Sequence, residues 1–289
     1  MTTSVQSTTA APSRIAETFV RLGVENRAAI MPFVTAGYPD LAMTEQLIEA
    51  LVGAGADLIE IGVPFSDPIA DGPTVQVASQ KSLENGTTLG DCFDLVRRVR
   101  AKGITIPLLL MGYVNPFYQY GPERLAALAA EIGIDGLIIP DLPIEESEEF
   151  AEPLRRHGRD LIYFLAPTST TARIDAVAAR ATGFIYSVAL TGVTGARATM
   201  SDSLPAYMQR VRARTNVPLV IGFGISTPDH VAHAATLADG VVVASALINC
   251  IDALPREQKV EGAAAFLKPL AAATVRAISS STGGETNNG

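Results

Sequence analysis

The segment Asp57-Leu-Ile-Glu60-Ile-Gly-Val-Pro64-Phe-Ser-Asp67-Pro-Ile-Ala-Asp71-Gly-Pro-Thr-Val-Gln76 contains a strand, a loop and the start of a helix in twenty residues. The apolar run at 58–63 has the length and β-branched content of a buried strand. A loop stiffened by Pro64, Pro68 and Pro73 follows, and Asp-Gly-Pro-Thr leads into a segment of helical period at 74–82. The strand carries an ionisable group, Glu60, near its end. An unpaired buried carboxylate is costly, so it needs a partner, a raised pKa or a chemical task. A second acid, Asp71, lies in the loop eleven positions later. Two carboxyl groups in different settings suit proton transfer.

The same unit recurs along the chain. Strand-like apolar runs occur at 29–35, 58–63, 106–111, 136–139, 161–165, 184–188, 219–221 and 240–243. Helical-period segments separate them at 41–54, 74–82 with 89–101, 123–131, 144–156, 172–180, 204–214 and 228–237, and the chain closes with 246–251 and 258–278. Eight strands alternating with helices in about 250 residues predict an α/β fold of the (β/α)₈ TIM-barrel type. An open doubly wound sheet is the alternative that periodicity alone leaves standing. The strands are continuously apolar, as expected when both sheet faces are covered. Residues 13–21 predict an extra N-terminal helix, placed to plug the bottom of the barrel. No linker interrupts the series, so 13–278 is expected to be one catalytic domain. The Thr-, Ser- and Ala-rich residues 1–12 and the stretch 279–289 are expected to be flexible tails.

Composition narrows the function classes. Of the 289 residues, 48 % are hydrophobic and 18 % charged, which favours a large core over disorder. A net charge of −8 argues against nucleic-acid and anionic-membrane partners, which need basic surfaces. No apolar run approaches the roughly 18 residues of a membrane span. Cys92 and Cys250 form no paired motif, which fits a reducing cytoplasm.

In a barrel of this kind chemistry sits where strands run into the following loops. The polar and glycine-rich punctuation falls there: Thr35-Ala-Gly, Glu60-Ile-Gly, Gly112-Tyr-Val-Asn, Pro140-Asp-Leu-Pro, Leu190-Thr-Gly, Gly222-Phe-Gly and Ala244-Ser-Ala. The opposite strand ends read as plain. Turns at 191–195, 222–226 and 244–246 follow the sixth, seventh and eighth strands. Their glycines let backbone N–H groups approach an anion, and a helix starting at Ser245 would aim its positive end inward.

Each candidate also has a structural explanation. Glu60 could pair with an amide or a cation. Asp67 and Asp71 could be turn or cap residues, and Asp141 a loop brace. His157, His230 and His233 sit on helical stretches without further ligands, and no metal site, nucleophile elbow or strand-end lysine is apparent. Tyr113 and Tyr186 end the third and sixth strands and could offer hydroxyls to a ligand. Phe33, Leu110, Ile138, Phe164 and Phe223 could wall a flat ring.

Taken together, Pro32-Phe-Val-Thr-Ala-Gly-Tyr-Pro-Asp, Glu60-Ile-Gly-Val-Pro-Phe-Ser-Asp-Pro-Ile-Ala-Asp-Gly-Pro-Thr, Leu110-Met-Gly-Tyr-Val-Asn-Pro, Pro140-Asp-Leu-Pro-Ile-Glu-Glu, Gly192-Val-Thr-Gly-Ala-Arg and Gly222-Phe-Gly-Ile-Ser resemble the tryptophan synthase alpha subunit family. The likeness covers about residues 14–278. It implies a barrel lyase that cleaves indole-3-glycerol phosphate to indole and glyceraldehyde 3-phosphate by a retro-aldol reaction. It further implies a pyridoxal-phosphate beta subunit, in an alpha2-beta2 hetero-tetramer, that receives the indole through a tunnel and joins it to L-serine to give L-tryptophan. No cofactor is expected in this chain itself. By the resemblance, Glu60 matches the general acid/base and Asp71 the carboxylate that steadies positive charge at the indole nitrogen. Phe33, Tyr113, Ile138, Tyr186, Thr194 and Phe223 match substrate-pocket positions, and Gly195, Gly224 and Ser245 match phosphate-binding ones. Loops 65–71 and 190–204 match segments that close over substrate, with Asp67 and its neighbours against the beta subunit.

Two departures stand out. Ala244 occupies the place where the family usually has glycine before Ser245, and its methyl could crowd the phosphate. Gly112 replaces a bulkier residue, with little consequence expected. A binding module that mainly activates a beta subunit, a stand-alone indole-producing lyase and another phosphate-binding barrel are the competing readings.

Overall fold

Eight parallel strands close into a barrel in the computed structural model, which describes residues 13–188, 203–222 and 224–276. The strands are β1 (Ala29–Thr35), β2 (Ile59–Gly62), β3 (Leu108–Met111), β4 (Gly136–Ile138), β5 (Asp160–Leu165), β6 (Ile185–Val188), β7 (Leu219–Gly222) and β8 (Gly240–Val243). Sequence neighbours pair in order, and β8 returns to β1 through Ala29↔Gly240 and Pro32↔Val243. Around them lie α1 (Arg14–Val24), α2 (Leu41–Gly53), α3 (Pro73–Glu84), α4 (Leu89–Ala101), α5 (Val114–Tyr120), α6 (Pro122–Ile132), α7 (Glu148–Arg156), α8 (Thr171–Arg180), α9 (Leu204–Arg212), α10 (Pro228–Ala235), α11 (Ser245–Asp252) and α12 (Lys259–Ala272). The closed barrel removes the doubly wound alternative. The tails expected at 1–12 and 279–289 lie outside the described residues.

Side-chain parity splits the core in two. Met31, Phe33, Leu58, Leu109, Ile138, Ile162 and Tyr186 point into the barrel, while Ile30, Val34, Ile59, Ile61, Leu110 and Ile139 pack beneath the helices. Leu110, expected on the ring-binding wall, therefore faces the helical layer. Its neighbours Leu109 and Met111 hold the interior positions. In a strand covered on both faces the apolar run gives no parity, and a shift of one residue moves every side chain to the other face.

The predicted first helix forms, begins one residue later and closes the N-terminal end of the barrel. Ser13 caps it by accepting from the Ala16 N–H and also donates to Asp160 Oδ2 at 2.6 Å. Ile15, Phe19 and Leu22 of α1 enter the interior cluster, with the Phe19 and Phe184 rings 5.9 Å apart. That end is far from plain. Asp57 accepts from the Ile30 N–H and from both terminal nitrogens of Arg27 at 2.7 Å. Asp135 accepts from the Leu108 N–H and from Arg14, Arg100 and Arg159. Asp239 accepts from the Leu219 N–H and from Arg212. Each acid satisfies the first or second amide of a neighbouring strand, so the ring staples strand starts together.

Most helix ends shift by one to three residues, and two departures from the sequence reading are larger. The predicted last helix, 258–278, stops at Ala272, and Val275 then bridges Arg27 in antiparallel fashion. Helix α5 was not expected, since Val-Asn-Pro reads as a turn. Pro116 falls in the first turn, where a missing N–H is tolerated, and Gly121 at φ +96° ends the helix. Its anchor is Phe117, fully buried against Gly112. A Cβ at position 112 would stand 2.9 Å from the Phe117 ring and 3.1 Å from Val63 Cβ, so Gly112 makes the room that α5 needs. The expectation that this glycine has little consequence is corrected.

Candidate active site

At the C-terminal strand ends Phe33, Asp71 and Tyr113 line one cleft, while Ile138 and Tyr186 belong with Phe33 to the interior cluster and Glu60 lies in register with Phe33. Glu60 projects from β2 into the interior, in register with Phe33 on β1 and Leu109 on β3. It is 0 % exposed, and neither carboxyl oxygen has a hydrogen-bond partner among the described residues. Burial, reinforced by the nearby Asp71 charge, pushes its pKa up to about 8. The structural explanations of an amide or a cation partner thus fail on geometry.

Asp71 arrives on the loop after β2. Burial raises its pKa to about 6, and the hydrogen bond from Tyr113 holds it back. The Tyr113 hydroxyl donates to Asp71 Oδ2 at 3.1 Å and accepts from the Ala70 N–H at 2.9 Å. Phe65 stacks on the Tyr113 ring at 5.1 Å, and its amide N–H and carbonyl both bond the Ser79 hydroxyl. The Gln76 side chain donates to the carbonyls of Pro68 and Asp71. One tyrosine thus helps to hold Asp71 in place and tempers the rise in its pKa. Asp67 is an exposed turn residue whose carbonyl accepts from the Ile69 N–H. Asp141 accepts from the Val114 N–H at 2.9 Å and braces the start of α5.

Two glycines make room for the aromatic side chains at the mouth. A Cβ on Gly62 would meet the Phe33 ring at 2.4 Å, and one on Gly222 would meet Tyr186 at 2.1 Å. Both glycines end strands, so aromatic side chains from the preceding strands lie across them. Tyr186 packs on Phe164 with ring centroids 4.9 Å apart. Burial raises the Tyr186 hydroxyl well above its ordinary pKa, and the charges of Glu60 and Asp71 add to the effect. Thr35, Val75 and Met111 complete the cleft with Phe33, Asp71 and Tyr113. Sequence reasoning passed over Thr35 and Met111 as site residues. The available signal was their two-residue spacing from Phe33 and Leu109.

Of the phosphate candidates, Gly224 has φ +80°, which favours glycine, and open space where a side chain would stand. Ser245 is exposed and opens α11, whose first turn has no side-chain cap. Its leading N–H groups are therefore available to an anion. Ala244 precedes it at φ −115°, outside the left-handed region, so the backbone there makes no demand for glycine. Thr194, Gly195 and Phe223 lie outside the described residues, as does most of the loop 190–204.

The pair of acids differs in strength by about two units, since Glu60 titrates near 8 and Asp71 near 6. At neutral pH the first is largely protonated and the second largely ionised, so one can give a proton while the other offsets positive charge. Among the described residues no group of three His, Cys, Asp or Glu side chains could hold a metal ion. No helix of the described residues is long and apolar enough to cross a membrane.

Fold and site together define a (β/α)₈ barrel with two acids of raised pKa at its C-terminal mouth. A family model described as tryptophan synthase alpha chain matches residues 19–275. The chain is 52 % identical to the tryptophan synthase alpha chain of Chloroflexus aurantiacus, over 91 % of this chain and 99 % of that one. It is 54 % identical to that of a Roseiflexus species, over 89 % and 99 %. Among solved structures, tryptophan synthase subunit alpha from Legionella pneumophila superposes with a TM-score of 0.84 at 35 % identity, covering 91 % of this chain and 99 % of that one. A Mycobacterium tuberculosis tryptophan synthase structure gives a TM-score of 0.85 at 34 % identity, covering 92 % and 100 %. The chain belongs to the tryptophan synthase alpha chain family.

Proposed function

We propose that Glu60 and Asp71 carry out the family's half-reaction, with Phe33, Tyr113, Ile138 and Tyr186 holding the ring. The chain is a carbon–carbon lyase that cleaves indole-3-glycerol phosphate to indole and glyceraldehyde 3-phosphate, and the indole passes to a beta subunit. Protonated Glu60 gives its proton to ring carbon C3, which leaves an iminium cation across the ring nitrogen. The resulting carboxylate takes the proton from the hydroxyl on the attached side-chain carbon. As that oxygen forms its carbonyl, the electron pair of the breaking carbon–carbon bond returns to the ring and quenches the cation. One carboxyl group serves both transfers, because its pKa lies near the working pH. Ionised Asp71 faces the ring N–H and steadies the charge while it exists.

The phosphate end of the substrate rests on Gly224 and the opening turn of α11 at Ser245, with Gly195 assigned beside them from the sequence, and Thr194 and Phe223 assigned to the substrate pocket with the ring-holding residues. Pyridoxal phosphate belongs to the beta subunit. It is held through a lysine, and the lysines of this chain, Lys81, Lys102, Lys259 and Lys268, all sit on helices or a helix cap on the outer layer. There it supplies the electron sink for joining indole to L-serine. An alpha2-beta2 assembly in the cytoplasm completes the reading, and the free thiols of Cys92 and Cys250 fit that compartment.

The observation that carries this proposal is the wholly enclosed Glu60, with both oxygens unpartnered among the described residues. The test is indole release from indole-3-glycerol phosphate, with and without a beta subunit. Glu60→Gln should lower kcat/KM about a thousandfold, and Asp71→Asn about a hundredfold. Near-normal turnover in Glu60→Gln would remove its role.

A further inference from the structure

We infer that Thr35 is a specificity-determining residue whose side-chain hydroxyl binds the polar N–H edge of the substrate ring. The inference rests on the lyase reading and extends it to a residue assigned no role there.

Thr35 is the last residue of β1, two positions beyond Phe33, so the two side chains leave the same face of the strand. It pairs in register with Gly62, while Phe33 pairs with Glu60. Thr35 therefore sits one step nearer the mouth than the acid, at the level of the glycine over which the Phe33 ring lies. It lines the cleft shared by Phe33, Asp71 and Tyr113. The residue is 3 % exposed, and its Oγ1 has no hydrogen-bond partner among the described residues. A hydroxyl that has left water without gaining a partner lowers stability, and valine would fill the same volume without that penalty. The unpartnered hydroxyl gains a purpose when a ligand supplies its partner.

The neighbours identify that partner. Phe33 offers an apolar face to a flat ring, and Asp71 marks the side of the cleft where a ring N–H is wanted. A hydroxyl beside them can accept from an N–H, whereas the Thr35 methyl adds to the apolar wall. A site that hydrogen-bonds an N–H rejects a ring of the same shape that lacks it, because its polar groups are then left unpaired.

The experiment uses indole and benzothiophene, two rings of similar outline of which one has an N–H. The chain contains no tryptophan, so indole fluorescence reports binding without interference; benzothiophene is measured by its displacement of indole. Wild type, Thr35→Val and Thr35→Ser are titrated, melted and assayed for indole release. Thr35→Val should melt at or above the wild-type temperature, yet bind indole at least fivefold more weakly with benzothiophene affinity unchanged, and lose about tenfold in kcat/KM. Thr35→Ser should recover most of the affinity. Unchanged indole affinity in Thr35→Val overturns the inference, as do equal losses for both rings or failure of serine to rescue. Should Thr35→Val not fold, Thr35→Ala is read by the same titrations and the same criteria. A wild-type protein that binds indole but never releases it from indole-3-glycerol phosphate would sink the lyase reading, while the titrations still decide Thr35.

Discussion

Glu60 and Asp71 show how environment assigns different tasks to two carboxyl groups. Burial lifts Glu60 to about 8 and Asp71 to about 6, so activity should rise with pH through about 6 and fall through about 8. These limbs belong to the coupled pair, and a pH series of kcat/KM on wild type and Asp71→Asn checks them. The acid limb should vanish in the variant. Stability carries the opposite signature to an ordinary salt-bridged acid. A carboxyl whose folded pKa is raised above its unfolded value contributes stability below the unfolded pKa, near 4.5, that is lost as pH climbs through the folded one, near 8. Wild type should therefore lose roughly 4–5 kcal/mol over that window from Glu60 alone. In Glu60→Gln, melting curves between pH 5 and 9 should be flatter, and a slope equal to wild type would show that Glu60 is not held neutral. Glu60 was legible in the sequence because a charge inside an apolar strand is anomalous in any register. Leu110 was misplaced because nothing in a continuously apolar run says which neighbour faces in.

At the scale of elements, β2, its loop and α5 work as one unit. The loop 65–71 is held by Ser79 and Gln76 of α3 on one side and by Tyr113 on the other. Tyr113 caps α5, and α5 is seated by Phe117 against Gly112. The sequence displayed the strand and the acidic loop plainly but concealed α5, since a seven-residue helix with proline in its first turn has almost no periodicity to read. The hydroxyl contact could not be foreseen either, because it joins residues 42 positions apart. Tyr113→Phe isolates it. The ring and its stacking on Phe65 survive, while the Asp71 carboxyl loses the donor that holds its pKa down. The acid limb of the pH profile should move upward, with kcat/KM at pH 7 reduced about tenfold, as for loss of one charge-assisted hydrogen bond of about 1.5 kcal/mol. An unmoved limb would mean that the loop places Asp71 without help from Tyr113.

Across the whole molecule, chemistry and cohesion occupy opposite ends of one barrel. Among the described residues the C-terminal mouth keeps polar atoms unpaired at Glu60 and Thr35, whereas the N-terminal end pairs its acids with arginines and adds α1 as a plug. The sequence exposed this division only by half, because strand-start aspartates look like ordinary turn residues until their arginines, from distant elements, are brought to them. Asp135 is the strongest case. It is 1 % exposed, and it satisfies the Leu108 amide together with Arg14, Arg100 and Arg159. Burial already pulls the Arg100 guanidinium down to about 10 despite the attraction of Asp135. Asp135→Ala would leave three cations facing one another and an amide unpaired. Removing one partner of a buried charge network costs about 3–5 kcal/mol, and the exposed portion of Arg14 places the expected loss toward the lower figure. Denaturant unfolding should show that loss, while the folded fraction at low temperature releases indole with kcat within about twofold of wild type, because no atom of the mouth has moved. A large fall in kcat at full folding would mean that the arginine ring also sets the geometry of the acids, and that the two ends are not separable.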